Sequence, residues 1–478
     1  MRNIILSILF ISVSLTLVSC NNNLPKEKTT DIPEKTETLK TSPLYIDNCQ
    51  FKTGEYTVLL RGVNVSGGFK YFDYEHPNKD EYFDEVTEGD FRTIREIWGM
   101  NLSRTLVEWY GIEPFENQFN YEYLEEYAKI VSFTTKYDIY TMVDMHQDGY
   151  GIGFGDNGAP AWTCSNDYYE NYTPIPGWWW LEYIHPYIIA CYHQFWTSKN
   201  YLWEHYRKSF DILAEKLKDS PMVLGFEIMN EPYWADFGAQ TFDKEYLYPF
   251  YVTIGNSIRA ITPNKLIFFE PAASRNFGLY TSLEKLPYQQ TVYSPHYYYT
   301  AIDVSDTYNG DNGDGSVEAA VISRVNEGKY LNSATIIGEY GVWAENAEKY
   351  PNEAKFLTNL MNVYDKHLVS AAFWEFSFIK KNYNRDTYSY GDIIIRPYPE
   401  KWKGKVNSFS YDREKKELTI NWIANIGDDM IVSMPIFIYK SKATISSKQN
   451  NISWKWINRY QIKIIANSTE TAHITISK

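Results

Sequence analysis

The sequence is poor in the residues that metal, redox and nucleic-acid proteins are commonly built from. Its 478 residues include four cysteines and eight histidines. No two cysteines sit at metal-ligand spacing, no calcium-loop signature occurs, and no glycine-rich phosphate motif follows a strand-like run. Neither a metal nor an organic cofactor is expected. Positive charge is scarce as well: 46 Lys and Arg against 60 Asp and Glu leave a formal net charge of −14, with no basic cluster. A phosphate backbone would be repelled by that mean field, so no nucleic-acid partner is expected.

One apolar stretch opens the chain. Arg2 precedes Ile4 to Val18, and Leu17-Val18-Ser19-Cys20 closes the segment like a bacterial lipobox. The stretch is shorter than the roughly 20 residues a spanning helix needs, so residues 1–20 read as an export signal, with Cys20 the site of lipidation. An ordinary signal peptide ending near a cysteine is the alternative. Residues 21–43 are polar and rich in Asn, Lys, Glu, Thr and Pro, the composition of a flexible tether. The expectation is an exported lipoprotein held at the cell envelope, on the outer membrane or cell surface, with the membrane as a partner through its anchor. A monomer is the default. Of Cys49, Cys164 and Cys191, a pair can oxidise outside the cytoplasm, and at least one thiol then stays unpaired.

What the chain has in abundance is aromatic: 15 Trp, 42 Tyr and 25 Phe in a composition that is 44% hydrophobic. Many of these rings must pack a core, and the surplus suits a site whose substrate has faces to stack on. From Thr57 to about Phe376, short β-rich runs alternate with helical patterns. The strand-like runs lead through Arg61-Gly62-Val63-Asn64, then Asn101–Leu106, Ile139–Asp144, Val223–Met229, Leu266–Phe269, Thr291–Ser294, Thr335–Ile337 and Ala371–Trp374. Helices are predicted over Phe91–Trp98, Tyr121–Tyr137 and Lys208–Leu217. Eight strands alternating with helices predict an α/β fold, a (β/α)8 TIM barrel over residues 44–399. Beyond Pro399, short apolar runs at Leu418–Trp422, Ile436–Tyr439, Trp454–Trp456, Ile462–Ile465 and His473–Ile476 predict a small C-terminal β-sandwich over residues 400–478.

Two carboxylates end predicted barrel strands, the face on which barrel enzymes place their chemistry. Glu231 closes Gly225-Phe226-Glu227-Ile228-Met229-Asn230-Glu231, and Glu339 closes Thr335-Ile336-Ile337-Gly338-Glu339. Such a pair is what glycosidic bond cleavage requires: one acid to protonate the leaving oxygen and one carboxylate opposite it. Glu227 and Glu270 also end or lie in strands but sit in no comparable motif, and they read as structural acids.

Several motifs occur in an order that resembles glycoside hydrolase family 5. They are Arg61-Gly62-Val63-Asn64, Gly99-Met100-Asn101-Leu102-Ser103-Arg104, Asn230-Glu231-Pro232, His296-Tyr297-Tyr298 and Gly338-Glu339-Tyr340-Gly341. Within that family the chain is similar to the endoglycoceramidases, through Asp144-Met145-His146-Gln147-Asp148, Gly158-Ala159-Pro160-Ala161-Trp162, Trp179 four before Tyr183, Phe195-Trp196 and Arg396-Pro397-Tyr398-Pro399.

The resemblance implies a retaining β-glycosidase in which Glu231 is the general acid/base and Glu339 the nucleophile. Arg104 and Tyr298 would support the charge of Glu339. Asn230 would hold the 2-hydroxyl of the attacked sugar, and His146 and His296 would line the same subsite. Lys70, Asp148 and Trp179 would contact sugars, with Trp374 as the stacking floor. The implied substrate is a glycosphingolipid, cut between glycan and ceramide.

Other readings stay open at this level. A β-glucosidase on glucosylceramide or steryl glucoside, an endo-β-glucanase or a mannanase would keep the chemistry and change the aglycone. A glycan-binding lipoprotein with a dead barrel would lack a catalytic carboxylate. The aromatic insert from Tyr150 to Trp196 is expected to form an apolar wall for acyl chains, and its alternative is a lid packed on itself.

Overall fold

The computed structural model describes residues 43–67, 86–176, 179–300, 302, 307–308, 310, 316–342, 351–377, 379, 390–449 and 451–478. Eight parallel strands close into a barrel: Arg61–Val65, Leu102–Glu108, Tyr140–His146, Val223–Glu227, Leu266–Phe269, Thr291–Tyr293, Ala334–Tyr340 and Ser370–Phe373. Each pairs with its sequence neighbours, and the last returns to the first through Ala371 opposite Arg61. All eight predicted runs are barrel strands.

Period-two alternation decides which side chains enter the barrel. Leu102, Met142, Leu266, Phe268 and Ala372 fill its lower interior, while Val63, Val143, Ile267 and Phe373 pack outward against the helices. The inward series then continues toward the carboxyl ends of the strands as Arg104, Asp144, His146, Glu270 and Trp374. Two strands reach this arrangement only through a slip in register. Thr141 lies opposite Val223 but Met142 opposite Gly225, so Leu224 faces in, Phe226 faces out and Glu227 faces in again. A second slip between Ile337 and Tyr340 sends Tyr340 to the outer layer and Glu339 to the inner one. A bulge adds one residue to one strand, which is what exchanges the faces.

The helices follow their apolar periodicity. Tyr121–Lys136 starts at Asn120, whose side chain accepts the N–H of Tyr123, and Leu202–Leu217 buries Tyr206, Phe210, Leu213 and Leu217. The predicted Phe91–Trp98 helix begins earlier, at Glu88 behind a Thr87–Asp90 capping box, and widens into a π-turn over Thr93–Ile97.

The C-terminal module is antiparallel and has two sheets. One contains Lys405–Asp412, Glu417–Ala424, Glu470–Ser477 and Thr444–Ser447. The other has seven strands and does not respect the predicted boundary at residue 400. It takes in Tyr45–Asp47, Gln50–Thr53 and Tyr56–Val58 from before the barrel, and Tyr398–Trp402 at its end, beside Asp429–Ser433, Gln461–Ala466 and Ile452–Asn458. The predicted strand at Ile436–Tyr439 is instead one helical turn. Four consecutive apolar residues carry no period-two signal, Pro435 sets the entry, and Lys440 ends the turn at a φ of 49°.

Many rings of the insert between the third and fourth strands pack on one another. Tyr150, Phe154, Tyr183, Tyr192, Phe195 and Trp196 are buried, Phe154 meets Tyr169 and Tyr172 edge-on, and Tyr168 stacks on Tyr187. Large rings gain more from covering one another than from facing water. A disulfide joins Cys164 to Cys191 within this insert, and Cys49 is a free thiol.

Barrel and sheets are joined by a buried ion pair. Arg95 reaches Glu400 with both guanidinium nitrogens, at 3.1 and 2.9 Å, and Gln461 donates to the same carboxylate at 2.8 Å. Burial opposes the charge on Glu400, but Arg95 outweighs it and holds that carboxyl below its ordinary range. Removing one partner of such a pair strands a buried charge. Arg95→Met is therefore expected to cost about 3–5 kcal/mol in urea unfolding. The double variant Arg95→Met/Glu400→Gln should recover part of that loss, and a double variant no more stable than the single one would contradict the account.

Candidate active site

Arg104 stands at the centre of the barrel mouth and is fully buried. Its Nε donates to Glu227 at 2.7 Å, Nη1 to Asn64 at 2.8 Å and to Glu339 at 2.6 Å, and Nη2 to Asn230 at 2.8 Å and Glu270 at 3.3 Å. Asp144 lies 3.1 Å from the same Nη2. Four carboxylates thus share one guanidinium, whose planar fork presents five donors in fixed directions. Burial opposes its charge, and the four acids more than restore it.

The acids divide by environment. Asp144 is desolvated, but Arg104 and His146 hold it below its ordinary range. Glu227 is raised to about 7, by burial first and by Asp144 next, despite Arg104. Glu270 is raised well above the carboxylate range by burial, with Glu227 adding to the shift. His296 has the opposite balance: burial disfavours its cation, yet Glu270 and Glu339 raise it well above the usual imidazole range. Its Nδ1 is 2.7 Å from Glu231 and its Nε2 is 3.1 Å from Glu270.

Glu231 and Glu339 face each other across this ring. One oxygen of each, together with a nitrogen of His296, lies within a set of atoms no more than 4.8 Å apart. Carboxyls about 5–5.5 Å apart belong to retaining glycosidases, and separations of about 6.5–9.5 Å to inverting ones, which must admit a water. Glu339 receives Arg104 on Oε1 and the Tyr298 hydroxyl on Oε2, at 2.7 Å. Both partners favour its ionised form, as a nucleophile needs. Glu231 has no guanidinium. Asn276 donates to its Oε1 at 2.6 Å, and His296 Nδ1 meets the same atom at 2.7 Å. By donor type alone, Glu231, His296 and Glu339 could also hold a cation. Arg104 bonded to Glu339 makes the trio better suited to moving protons.

His146 lines the opposite wall. Its Nδ1 is 2.7 Å from Asp144, its Nε2 is 3.2 Å from Asp148, and its ring stacks on Trp374 at 5.4 Å between centroids. Asp148 also accepts from Asn157 and Tyr183. The structure therefore brings together Arg104, His146, Asp148, Asn230, Glu231, His296, Tyr298, Glu339 and Trp374. Lys70, the side chain of Trp179, and Cys20 lie outside the described residues.

Several contributors carry no role in the sequence reading. Glu227 and Glu270, read there as structural acids, are ligands of Arg104. Their signal was inward alternation at strand ends, which a register slip hides for Glu227. Asn276 gives no signal, being a loop residue 45 positions from Glu231. Gly338 is closely packed: a Cβ there would lie 3.1 Å from His296 Nε2, so that ring would have to give by a few tenths of an ångström.

A closed barrel with two glutamates facing each other at its mouth, one oxygen of each within 4.8 Å of the other, fits a glycosidase that works through a glycosyl-enzyme intermediate. A model of the family described as Cellulase (glycosyl hydrolase family 5) matches residues 56–378. The chain belongs to glycoside hydrolase family 5. It is similar to an endoglycoceramidase of Cyanea nozakii, 22% identical over 464 residues that cover 86% of this chain and 87% of that one. A glucosylceramidase of Rhizopus delemar is 26% identical over 241 residues, covering 39% of this chain and 35% of the relative. Among solved structures, endo-glycoceramidase II from Rhodococcus sp. in complex with ganglioside GM3 superposes with a TM-score of 0.73 at 20% identity, covering 91% of this chain and 99% of that one.

Because the folded-state value of Glu227 lies above its ordinary 4.5, at about 7, the folded protein binds the extra proton between those limits. Stability from that proton is complete below about 4.5 and is lost as the pH rises through about 7. Glu227→Gln cannot lose it. Urea midpoints measured across this range should shift in favour of the variant as the pH rises. A gap between the two proteins that stays constant with pH would contradict the assignment.

Proposed function

We propose that the protein is a lipid-anchored endoglycoceramidase, hydrolysing the bond between a glycan and ceramide in glycosphingolipids. The observation that carries the lipid part lies beside the acid. Asn276 is bonded to Glu231, and the three apolar side chains just after it, Phe277, Leu279 and Tyr280, are 56%, 54% and 72% exposed. Exposed apolar side chains in the segment that supplies Asn276 suit a leaving group made of hydrocarbon chains. The similarity to endoglycoceramidases along most of the chain supports the same reading.

In the first step Glu339 attacks the anomeric carbon as the bond to the ceramide oxygen breaks, and Glu231 gives that oxygen its proton. The glycosyl ester removes the charge from Glu339. Arg104 then keeps Asp144, Glu227 and Glu270 as partners, and ionised Glu231 is ready to act as base. A water enters on the vacated side, yields its proton to Glu231 and releases the glycan. In this reading Asn230, His146, His296 and Trp374 hold the sugar attacked, and Asp148 the next one. The lipobox ending at Cys20 supports an exported protein held on a bacterial outer membrane or cell surface, close to a membrane-borne substrate. We propose a monomer.

The partial similarity to a glucosylceramidase supports a second reading, release of glucose from glucosylceramide. The chain lacking its first 29 residues should be incubated with lactosylceramide, glucosylceramide, cello-oligosaccharides and manno-oligosaccharides, with Glu339→Gln as control and products read by mass spectrometry. Lactose and ceramide, absent from the control, are the expected products. Glucose from glucosylceramide alone would favour the second reading. Cleavage of the oligosaccharides alone would contradict a ceramide substrate.

A further inference from the structure

One set of contacts behind Glu231 has no part in the proton transfers. Glu231 has a φ of 39°, in the left-handed region that a non-glycine residue occupies only when its surroundings impose it. Three hydrogen bonds hold the backbone there. Its N–H donates to Glu270 at 3.1 Å, and Gln147 Nε2 donates to the carbonyls of both Asn230, at 2.8 Å, and Glu231, at 3.0 Å. One side-chain amide therefore clamps the peptide units on both sides of the strained residue.

That amide is itself oriented. The Tyr192 hydroxyl accepts the N–H of Tyr150 at 2.9 Å, which directs its own proton to Gln147 Oε1 at 2.5 Å. Oxygen is thereby assigned to the Tyr192 side and the donor nitrogen to the two carbonyls. Gly158 closes the remaining side, where a Cβ would meet the Cβ of Gln147 at 2.4 Å. Tyr192 is carried by the Pro186–Thr197 helix of the aromatic insert, next to Cys191 and its disulfide. A chain of contacts runs from the stapled insert, through Tyr192 and Gln147, to the backbone of the acid.

We infer that Gln147, oriented by Tyr192, is a positioning residue for Glu231: it holds the strained peptide that aims the acid/base carboxyl across the leaving oxygen. Without the clamp the backbone can relax toward negative φ and carry the carboxyl away from that oxygen. Attack by Glu339 does not depend on this. The defect therefore scales with how much the leaving group needs a proton, and it extends to the activation of water.

The inference rests on Glu231 as acid/base, so Glu231→Ala is the benchmark. The test measures kcat/KM for the wild type, Gln147→Met, Tyr192→Phe and Glu231→Ala on aryl β-glycosides from phenyl to 2,4-dinitrophenyl, using lactosides or cellobiosides, whichever the wild type hydrolyses, with and without azide. Both positioning variants should lose about 10–100-fold on the phenyl glycoside and less than about threefold on the dinitrophenyl one, since a leaving group of low basicity needs little proton donation. Azide, which attacks without a base, should raise their kcat on the dinitrophenyl substrate and give a glycosyl azide. Equal losses across the series with no azide response, while Glu231→Ala shows both effects, would overturn the positioning role. Absence of both effects in Glu231→Ala would overturn the acid/base assignment and the inference with it.

Discussion

Everything at the mouth of this barrel depends on a single guanidinium. Asp144, Glu227, Glu270 and Glu339 converge from four strands onto Arg104. Carboxylates brought together out of water repel one another and would take up protons if left alone. Arg104 pairs with all four; Asp144 stays below its ordinary range, while burial carries Glu227 and Glu270 upward in spite of it. Asn64 and Asn230 take its remaining directions. The cost of burying so many charges is several kcal/mol per ion, so the cluster is better explained by chemistry than by stability. Its product is a difference between two otherwise similar glutamates: Glu339 is bonded to Arg104 and the Tyr298 hydroxyl, and Glu231 to Asn276 and His296.

The frame that holds this difference is distributed along the chain. Period-two alternation carries most of the inward residues to the barrel mouth, and two register slips deliver Glu227 and Glu339, which uninterrupted strands would turn outward. Arg324 donates to the carbonyl of His296 at 2.9 Å and lies over the Tyr297 ring. That fixes the segment between the two glutamates from behind. On the other side the aromatic insert, with its disulfide, reaches the backbone of Glu231 through Gln147. Arg95 and Glu400 tie the barrel to the seven-stranded sheet, in which Tyr45–Asp47, Gln50–Thr53 and Tyr56–Val58 join strands from the end of the chain.

Much of this was legible in the sequence, for identifiable reasons. Barrel strands are short, β-rich and separated by helical periodicity, so all eight could be located from Arg61 to Trp374. Glu231 and Glu339 stood out because each closes such a run. What escaped depends on contacts between distant residues. Nothing local to Tyr45–Val58 marks it as part of a sheet with Gln461–Ala466. The bulges that turn Glu227 and Glu339 inward arise from pairing with neighbouring strands. For the aromatic insert, composition counts rings without saying which way they face. Gln147 and Asn276 were invisible as contributors because an amide becomes functional only through the groups it reaches.

The central claim is that Glu339, the carboxylate paired with Arg104, is the nucleophile of a retaining mechanism. A 2-deoxy-2-fluoro glycoside with a dinitrophenyl leaving group slows both steps but leaves the first feasible, so a covalent glycosyl-enzyme should accumulate. Intact-mass analysis followed by peptide mapping should find one sugar per chain, esterified to Glu339. A label on Glu231 or any other residue, or inversion of anomeric configuration in the product with no label at all, would contradict the account.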